Sequence, residues 1–149
     1  MKRKIRAVID TNIFINSWFS NKYFYCDAVM DLVNNNKITL LFSQETIGEL
    51  FYVIKNAVTF LIDDKQERYD YLHDLSDIFL DAISVNTLEA ECPALNDVFD
   101  EMFLKTAIKG EADFLVSNDF RSGIHAVQIK GLRILSAEDF ISIYEGLIK

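Results

Sequence analysis

Two acidic side chains stand where buried strands are expected to end. Asp10 lies directly after the apolar run Ile5–Ile9, which only Arg6 interrupts. Asp119 follows a second apolar stretch, Ala112–Ser117, by two residues. Acids at such positions are candidates for a binding site, because ligands of open α/β sheets bind outside the carboxyl ends of the strands. For Asp10, capping of the following helix is an equal alternative.

Asp100 and Glu49 depart from the pattern of the helices that carry them. At about 100° per residue, Asp100 falls inside the apolar stripe of a predicted helix, which consists of Phe99, Phe103, Leu104 and Ala107. A carboxylate facing the core costs several kcal/mol unless a cation, a metal or hydrogen bonds compensate it. Asp100 is therefore either a functional acid or half of a structural salt bridge. Glu49 lies at the margin of its stripe, about 40° beyond Val53, where periodicity alone predicts a surface residue.

Strands and helices alternate along the chain. Strands are predicted at Ile5–Ile9, Thr39–Phe42, Ala82–Val85, Ala112–Ser117 and Leu132–Leu135. Helices are predicted from about Asn12 to Phe19, Tyr23 to Asn34, Asp64 to Leu80 and Asp97 to Lys109, with two more that begin after the caps Ser43 and Ser136. This alternation predicts a mostly parallel sheet with helices on both faces. No linker or repeat divides the sequence, so a single domain is expected over residues 1–149.

Composition excludes several classes of protein. The chain has 149 residues, half of them hydrophobic, which is inconsistent with intrinsic disorder. Its longest uncharged run, Thr11–Asn21, is too short to cross a bilayer, and the first apolar stretch ends in Asp10, which a signal peptide would not tolerate. We therefore expect a cytoplasmic protein without a membrane segment. Cys26 and Cys92 have no CxxC spacing and are expected to be reduced thiols.

The net charge of −8 is unevenly distributed. Residues 63–101 include twelve acidic and two basic side chains, a local balance of −10, whereas the rest of the chain sums to +2. The overall acidity therefore describes the middle of the chain and does not exclude an anionic substrate.

Four segments carry the acids described above. They read VIDTN at 8–12, SQETIGEL at 43–50, DEMFLKTA at 100–107 and ADFLVSND at 112–119. In this order they resemble the motifs of the PIN-domain nuclease family, particularly the toxins of bacterial toxin–antitoxin pairs. The segment LRILSAEDF at 132–140 is similar to the last strand and helix of that family. Asn118 departs from the pattern, since glycine is common before the last aspartate.

The resemblance implies a Rossmann-like sheet with strand order 3-2-1-4-5 and a set of catalytic acids: Asp10, Glu49, Asp100 and Asp119. Three of these, Asp10, Asp100 and Asp119, would be ligands of Mg²⁺ or Mn²⁺. Polar support would come from Thr11 or Asn12, from Ser117 or Asn118, and from Asp97. Arg121 and Lys105 flank the motifs and are candidates to contact a substrate phosphate. RNA is the implied substrate, and an antitoxin protein and a second copy of the chain are left open as partners.

The chemistry explains why four carboxylates would be brought together. Without a cation they would repel one another, and some would take up protons near neutral pH. Mg²⁺ and Mn²⁺ prefer hard oxygen ligands and would neutralise the cluster. Such ions lower the pKa of a bound water and orient it for attack on a phosphodiester, so no side-chain nucleophile is needed. The sequence therefore predicts a metal-dependent ribonuclease.

Three alternative functions fit the sequence less well. A non-catalytic module that keeps the fold for protein binding would be expected to have lost at least one of the four acids. A phosphate-accepting receiver domain would need paired acids after the first strand and a lysine after the fifth, where this chain has Ser136 and Ala137. A dinucleotide-binding enzyme would need a GxGxxG motif after the first strand, and none is present. His73 and His125 are expected to have surface roles.

Overall fold

The computed structural model describes residues 3–148 and contains a five-stranded sheet whose strand pairs are all parallel. The strands are β1 (Arg6–Ile9), β2 (Thr39–Phe42), β3 (Ile83–Ser84), β4 (Phe114–Val116) and β5 (Arg133–Leu135). Their order across the sheet is β3-β2-β1-β4-β5, which confirms the predicted order. Receiver-like folds have the order 2-1-3-4-5 instead.

Six α-helices accompany these strands within the described residues. They are α1 (Thr11–Phe19), α2 (Phe24–Asn34), α3 (Gln44–Leu61), α4 (Lys65–Asp81), α5 (Glu101–Lys109) and α6 (Ala137–Leu147). Ser43 and Ser136 cap α3 and α6 as predicted, each accepting a backbone N–H of the first turn. Across residues 3–148, no helix combines the length and apolar character that crossing a bilayer requires.

The strand side chains alternate between two separate apolar cores. Ala7 and Ile9 of β1 pack in one core, to which five helices (α1 to α4 and α6) also contribute buried side chains. Val8 points to the opposite face and packs with a smaller core that includes Phe103 and Leu104 of α5. Both faces of the sheet are thus covered, which is why the strands read as continuous apolar runs.

The predicted helix Asp97–Lys109 is interrupted near its start. A single 3₁₀ turn, Val98–Asp100, precedes α5, and Asp100 is the residue before the first α-helical turn. The tighter turn rotates Phe99 out of the predicted stripe, so its side chain is 76% exposed. The prediction that Phe99 belongs to the apolar face is therefore wrong, whereas Phe103 and Leu104 are buried as expected.

The ends of β1 and β4 lie side by side at the centre of the sheet. Ile9 is paired with Val116, and the N–H of Asp10 donates to the Val116 carbonyl at 2.9 Å. The residues that follow these two strands therefore begin next to each other. This parallel register brings the segments containing Asp10 and Asp119 to one edge of the sheet.

Candidate functional site

Asp10 has two structural roles at the end of β1. It is the N-cap of α1, and one carboxylate oxygen accepts the N–H of Asn12 at 3.4 Å. The other oxygen accepts the hydroxyl of Ser117 at 2.8 Å. The side chain is buried, and this burial raises the pKa of Asp10, although both hydrogen bonds oppose the shift. Capping and a position at the site are therefore compatible, because each uses a different oxygen.

Ser117 connects two of the predicted acids. Its buried hydroxyl donates to Asp10 and accepts the backbone N–H of Asp119 at 3.1 Å. One side chain at the end of β4 thus sets the positions of two carboxylates that are 109 residues apart in the sequence.

Asp119 is held by the turn that follows it. One of its oxygens accepts the backbone N–H groups of Arg121 at 2.9 Å and Ser122 at 3.2 Å. The hydrogen bond from Arg121 is the largest cause that lowers the pKa of Asp119. The carboxylate is therefore kept charged and oriented.

Asp97, Asp100 and Asp119 form a compact cluster, which we call the carboxylate cluster. Each offers one oxygen, and these three oxygens lie within 4.8 Å of one another. Asp97 also accepts the N–H of Phe99 at 3.0 Å, which stabilises the 3₁₀ turn. A divalent cation bound by carboxylates needs oxygens gathered at this spacing.

Asp100 is the least compensated member of the carboxylate cluster. Its Oδ2 atom is buried and has no hydrogen-bond partner among the residues that the structure describes. Burial raises the pKa of Asp100 to about 7, and the nearby carboxylates of Asp119 and Asp10 add to the shift. Within residues 3–148 no Lys, Arg or His lies within ion-pair distance of Asp100, so the structural salt bridge is not observed.

Glu49 is connected to the end of β1 through a side chain of α1. Its carboxylate accepts the hydroxyl of buried Thr11 at 2.7 Å, which links α3 to the residue after Asp10. The charge of Glu49 contributes to the raised pKa of Asp10, so the two carboxylates lie near each other. Neither Asp10 nor Glu49 is among the three residues whose oxygens lie within 4.8 Å of one another.

The structure distinguishes the polar residues that the sequence left as alternatives. Thr11 and Ser117 turn their hydroxyls toward the acids, whereas Asn12 is exposed and contributes its backbone N–H. Asn118 points elsewhere: its side-chain oxygen accepts the N–H of Ala137 at 2.9 Å and thereby holds the start of α6. The asparagine at the position where the family commonly has glycine thus stabilises the N-terminus of α6.

The two candidate cations have different surroundings. Arg121 is exposed beside Asp119, and its charge helps to lower the pKa of that carboxylate. Lys105 lies near Cys92, and its positive charge lowers the pKa of that thiol against the larger effect of burial. The structure therefore places Arg121 next to the carboxylate cluster and Lys105 next to Cys92.

His125 is a site neighbour that sequence reasoning missed. Its Nε2 atom is 2.8 Å from the carbonyl oxygen of Ser117, and its ring is stacked on Phe120 with centroids 4.5 Å apart. The one signal in the sequence was its location in the loop after Asp119, which is also consistent with a surface residue.

The residues present suit a divalent metal. The unpartnered Asp100 oxygen and the repulsion among neighbouring carboxylates are both relieved by a cation in the carboxylate cluster. Hard carboxylate oxygens, without a cysteine or histidine in the same group, favour Mg²⁺ or Mn²⁺ over softer metals.

A family model described as the PIN domain matches residues 6–121, so the chain belongs to the PIN domain family. The matched segment includes all four predicted acids. Among curated proteins, no sequence matches the chain.

Several solved structures share the fold. VapBC2 from Rickettsia felis, bound to a DNA fragment from its promoter, is 17% identical with a TM-score of 0.52, over 89% of this chain and 98% of that one. FitAcB from Neisseria gonorrhoeae is 14% identical with a TM-score of 0.54, over the same shares of 89% and 98%. PAE2754 from Pyrobaculum aerophilum is 12% identical with a TM-score of 0.57, over 95% and 90%. At these identities the similarity shows the fold.

Proposed function

We propose that this PIN domain protein is a divalent-metal-dependent ribonuclease that hydrolyses phosphodiester bonds, and that it is the toxin of a toxin–antitoxin pair. The nuclease proposal depends chiefly on the carboxylate cluster, in which three oxygens lie within 4.8 Å of one another beside Asp10. PIN domains are generally nucleases, so the family and the geometry favour the same class of enzyme.

Asp10, Asp100 and Asp119 are the residues proposed to hold the metal. When bound there, Mg²⁺ or Mn²⁺ would supply an activated water and neutralise charge on the phosphodiester. Ser117 keeps Asp10 and Asp119 in register, and the amides of Arg121 and Ser122 keep Asp119 charged. These hydrogen bonds reduce the reorganisation that ligand binding requires.

Asp100 and Glu49 have separate proposed roles. Because burial raises the pKa of Asp100 to about 7, Asp100 must release a proton near neutral pH before it can act as a ligand. Glu49 accepts a hydrogen bond from Thr11 and is proposed to accept a proton from a water molecule near Asp10. Arg121 is exposed at the rim and is proposed to contact a phosphate of the RNA.

The toxin assignment rests on the resemblance of the motifs and on the fold shared with VapBC2 and FitAcB. It implies an antitoxin partner that inhibits the nuclease. Induced expression of the chain in a bacterium should stop growth. We expect a small reading frame next to its gene, and co-expression of that reading frame should restore growth. Growth that continues while active protein accumulates would contradict the toxin assignment but not the nuclease activity.

Cleavage of single-stranded RNA by the purified protein tests the nuclease proposal. We expect cleavage with Mg²⁺ or Mn²⁺, none in EDTA, and a loss of at least about 100-fold in Asp10→Asn and Asp119→Asn. The matched control is Asp70→Asn, the same change at an exposed position of α4 whose side chain contacts Gln66. RNA cleavage that persists in EDTA, or in either site variant, would contradict the proposal. A folded wild-type protein without activity would favour the non-catalytic interaction module.

A further inference from the structure

Two exposed aromatic rings border the carboxylate cluster. Phe120 directly follows Asp119 and is 68% exposed, and Phe99, between Asp97 and Asp100, is also exposed. Single exposed phenylalanines are common on protein surfaces. These two are notable because each is adjacent in sequence to a carboxylate of the cluster.

The backbone of Phe120 is held next to the carboxylate cluster. The Asp119 carboxylate accepts the N–H groups of Arg121 and Ser122, so the turn that contains Phe120 closes around that carboxylate. The Cα atoms of Asp119 and Phe120 are separated by about 3.8 Å, the spacing of consecutive residues. The backbone that carries the Phe120 ring therefore adjoins a carboxylate of the cluster.

His125 supports the Phe120 ring from one side. The two rings are stacked, with centroids 4.5 Å apart and planes inclined by 22°. A carbonyl oxygen can only accept, so the 2.8 Å contact with Ser117 requires a hydrogen on Nε2 of His125. This hydrogen bond anchors the imidazole to the end of β4. Phe120 thus has one face covered and remains largely exposed, which leaves the opposite face for a flat ligand.

We propose that Phe120, backed by His125, stacks a nucleobase of single-stranded RNA next to the phosphodiester at the carboxylate cluster. The inference rests on the proposed function, which brings that phosphodiester to Asp119. Base stacking on aromatic side chains is a general mode of single-strand recognition, and it needs an unpaired base whose face is accessible. Exposed Arg121 follows the ring directly and adds a positive charge for the RNA backbone. A protein partner would be better served by a broad apolar patch than by two exposed rings that each adjoin a charged carboxylate.

Cleavage kinetics provide the first test. Phe120→Ala should raise KM for single-stranded RNA by about 5- to 150-fold, the loss expected for one stacked base, with a smaller change in kcat. Phe120→Tyr keeps an aromatic face and should retain most of the affinity. Phe60→Ala is the matched control, because it removes a ring that is 87% exposed on α3. An unchanged KM in Phe120→Ala would overturn the proposal.

Fluorescence provides a second test that does not need turnover. Phe120→Trp is introduced into the Asp100→Asn variant, in which we expect no RNA cleavage. The fluorescence of Asp100→Asn alone is subtracted to correct for Trp18, the single native tryptophan. The probes are an eight-nucleotide oligoadenylate and an abasic oligomer of equal length. We expect quenching by the oligoadenylate, and little by the abasic strand, because stacking requires the base. Equal effects of the two probes, or no quenching, would overturn the proposal.

The two tests separate this inference from the proposed function. If the wild-type protein cleaves no RNA but the Phe120→Trp variant still shows base-dependent quenching, the nuclease proposal is contradicted and the stacking proposal is supported. If the wild-type protein cleaves RNA normally, the KM of Phe120→Ala is unchanged and Phe120→Trp shows no quenching, the nuclease proposal is supported and the stacking proposal is contradicted. Protection of Phe120 by a protein partner, with RNA binding unaffected by Phe120→Ala, would also overturn the stacking role.

Discussion

Asp100 combines a high cost in the metal-free protein with a proposed role as ligand. One of its oxygens is buried without a partner in the described part of the chain, and the negative charges of three other carboxylates (Asp10, Asp97 and Asp119) act on it. An anion in this setting opposes folding unless it is protonated or bound to a cation. The properties that make Asp100 a suitable ligand are therefore those that destabilise the free protein.

Asp100→Asn should separate stability from activity. Asparagine has nearly the same shape without the charge, so the repulsion from Asp119 and Asp10 disappears. We expect a thermal midpoint in EDTA that is equal to or a few degrees above that of the wild type, together with loss of metal-dependent RNA cleavage. A clearly lower midpoint with cleavage retained would contradict both the metal role and the electrostatic argument.

The same residue predicts how metal-free stability depends on pH. The pKa of Asp100 is raised to about 7 in the folded protein, above its value near 4 in the unfolded chain, so the folded state binds more protons between these values. The Asp100 contribution to stability therefore falls as pH rises from about 4 to 7 and is constant above that range. Urea denaturation in EDTA should show that the difference between wild type and Asp100→Asn grows over this interval. A constant difference would contradict the raised pKa.

At the scale of elements, α3 and α5 are joined by a buried pair of hydroxyls. Thr106 of α5 donates to the hydroxyl of Ser43, the N-cap of α3, at 2.9 Å. Thr46 completes the capping box of the same helix end. This contact holds the helix that carries Glu49 against the helix that follows Asp100.

Ser43→Ala should therefore cost more than the loss of an ordinary cap. Removal of a serine N-cap typically destabilises by about 1 kcal/mol, and the loss of the buried contact with Thr106 should bring the total to about 1–3 kcal/mol. Ser136→Ala is the matched control, because it also removes a serine N-cap. The Ser136 hydroxyl accepts the backbone N–H of Asp139 in an exposed hydrogen bond. Urea denaturation of both variants measures the difference. Equal losses would show that the contact with Thr106 contributes nothing to stability.

At the scale of the whole molecule, the fold places its repulsive charges where one ion can stabilise them. The carboxylate cluster draws on the end of β4 and the start of α5, and Asp10 adds the end of β1. A cation bound there would favour the folded state over the unfolded chain, in which these segments are far apart.

Mg²⁺ or Mn²⁺ should raise the thermal midpoint of the wild-type protein. A ligand at 100 times its Kd stabilises the folded state by about 2.7 kcal/mol, equivalent to roughly 5–10 °C for a chain of this size. Asp119→Asn should lose most of this gain, and Asp70→Asn should keep it. Differential scanning fluorimetry against metal concentration makes the comparison. The same rise in all three proteins would place the bound ion elsewhere.

The sequence by itself predicted an α/β sheet and acids at the ends of two of its strands. Alternating apolar runs and amphipathic segments predict a parallel α/β sheet, and the family motifs supplied the strand order that the structure confirms. The strands and their ends can be predicted because hydrophobic periodicity is a local property of the chain. Asp10 and Asp119 follow from them directly, since adjacent parallel strands bring their carboxyl ends together.

Only the tertiary structure decided how the acids are held and what surrounds them. The choice of Ser117 over Asn118, and the stacking of His125 on Phe120, depend on contacts across the chain fold. Phe99 became exposed because a 3₁₀ turn replaced the first α-helical turn, and the helical wheel assumes a constant 100° step. Hydrogen bonds between distant segments and local changes of helix type leave no periodic trace in the sequence, so they could be seen only once the chain was folded.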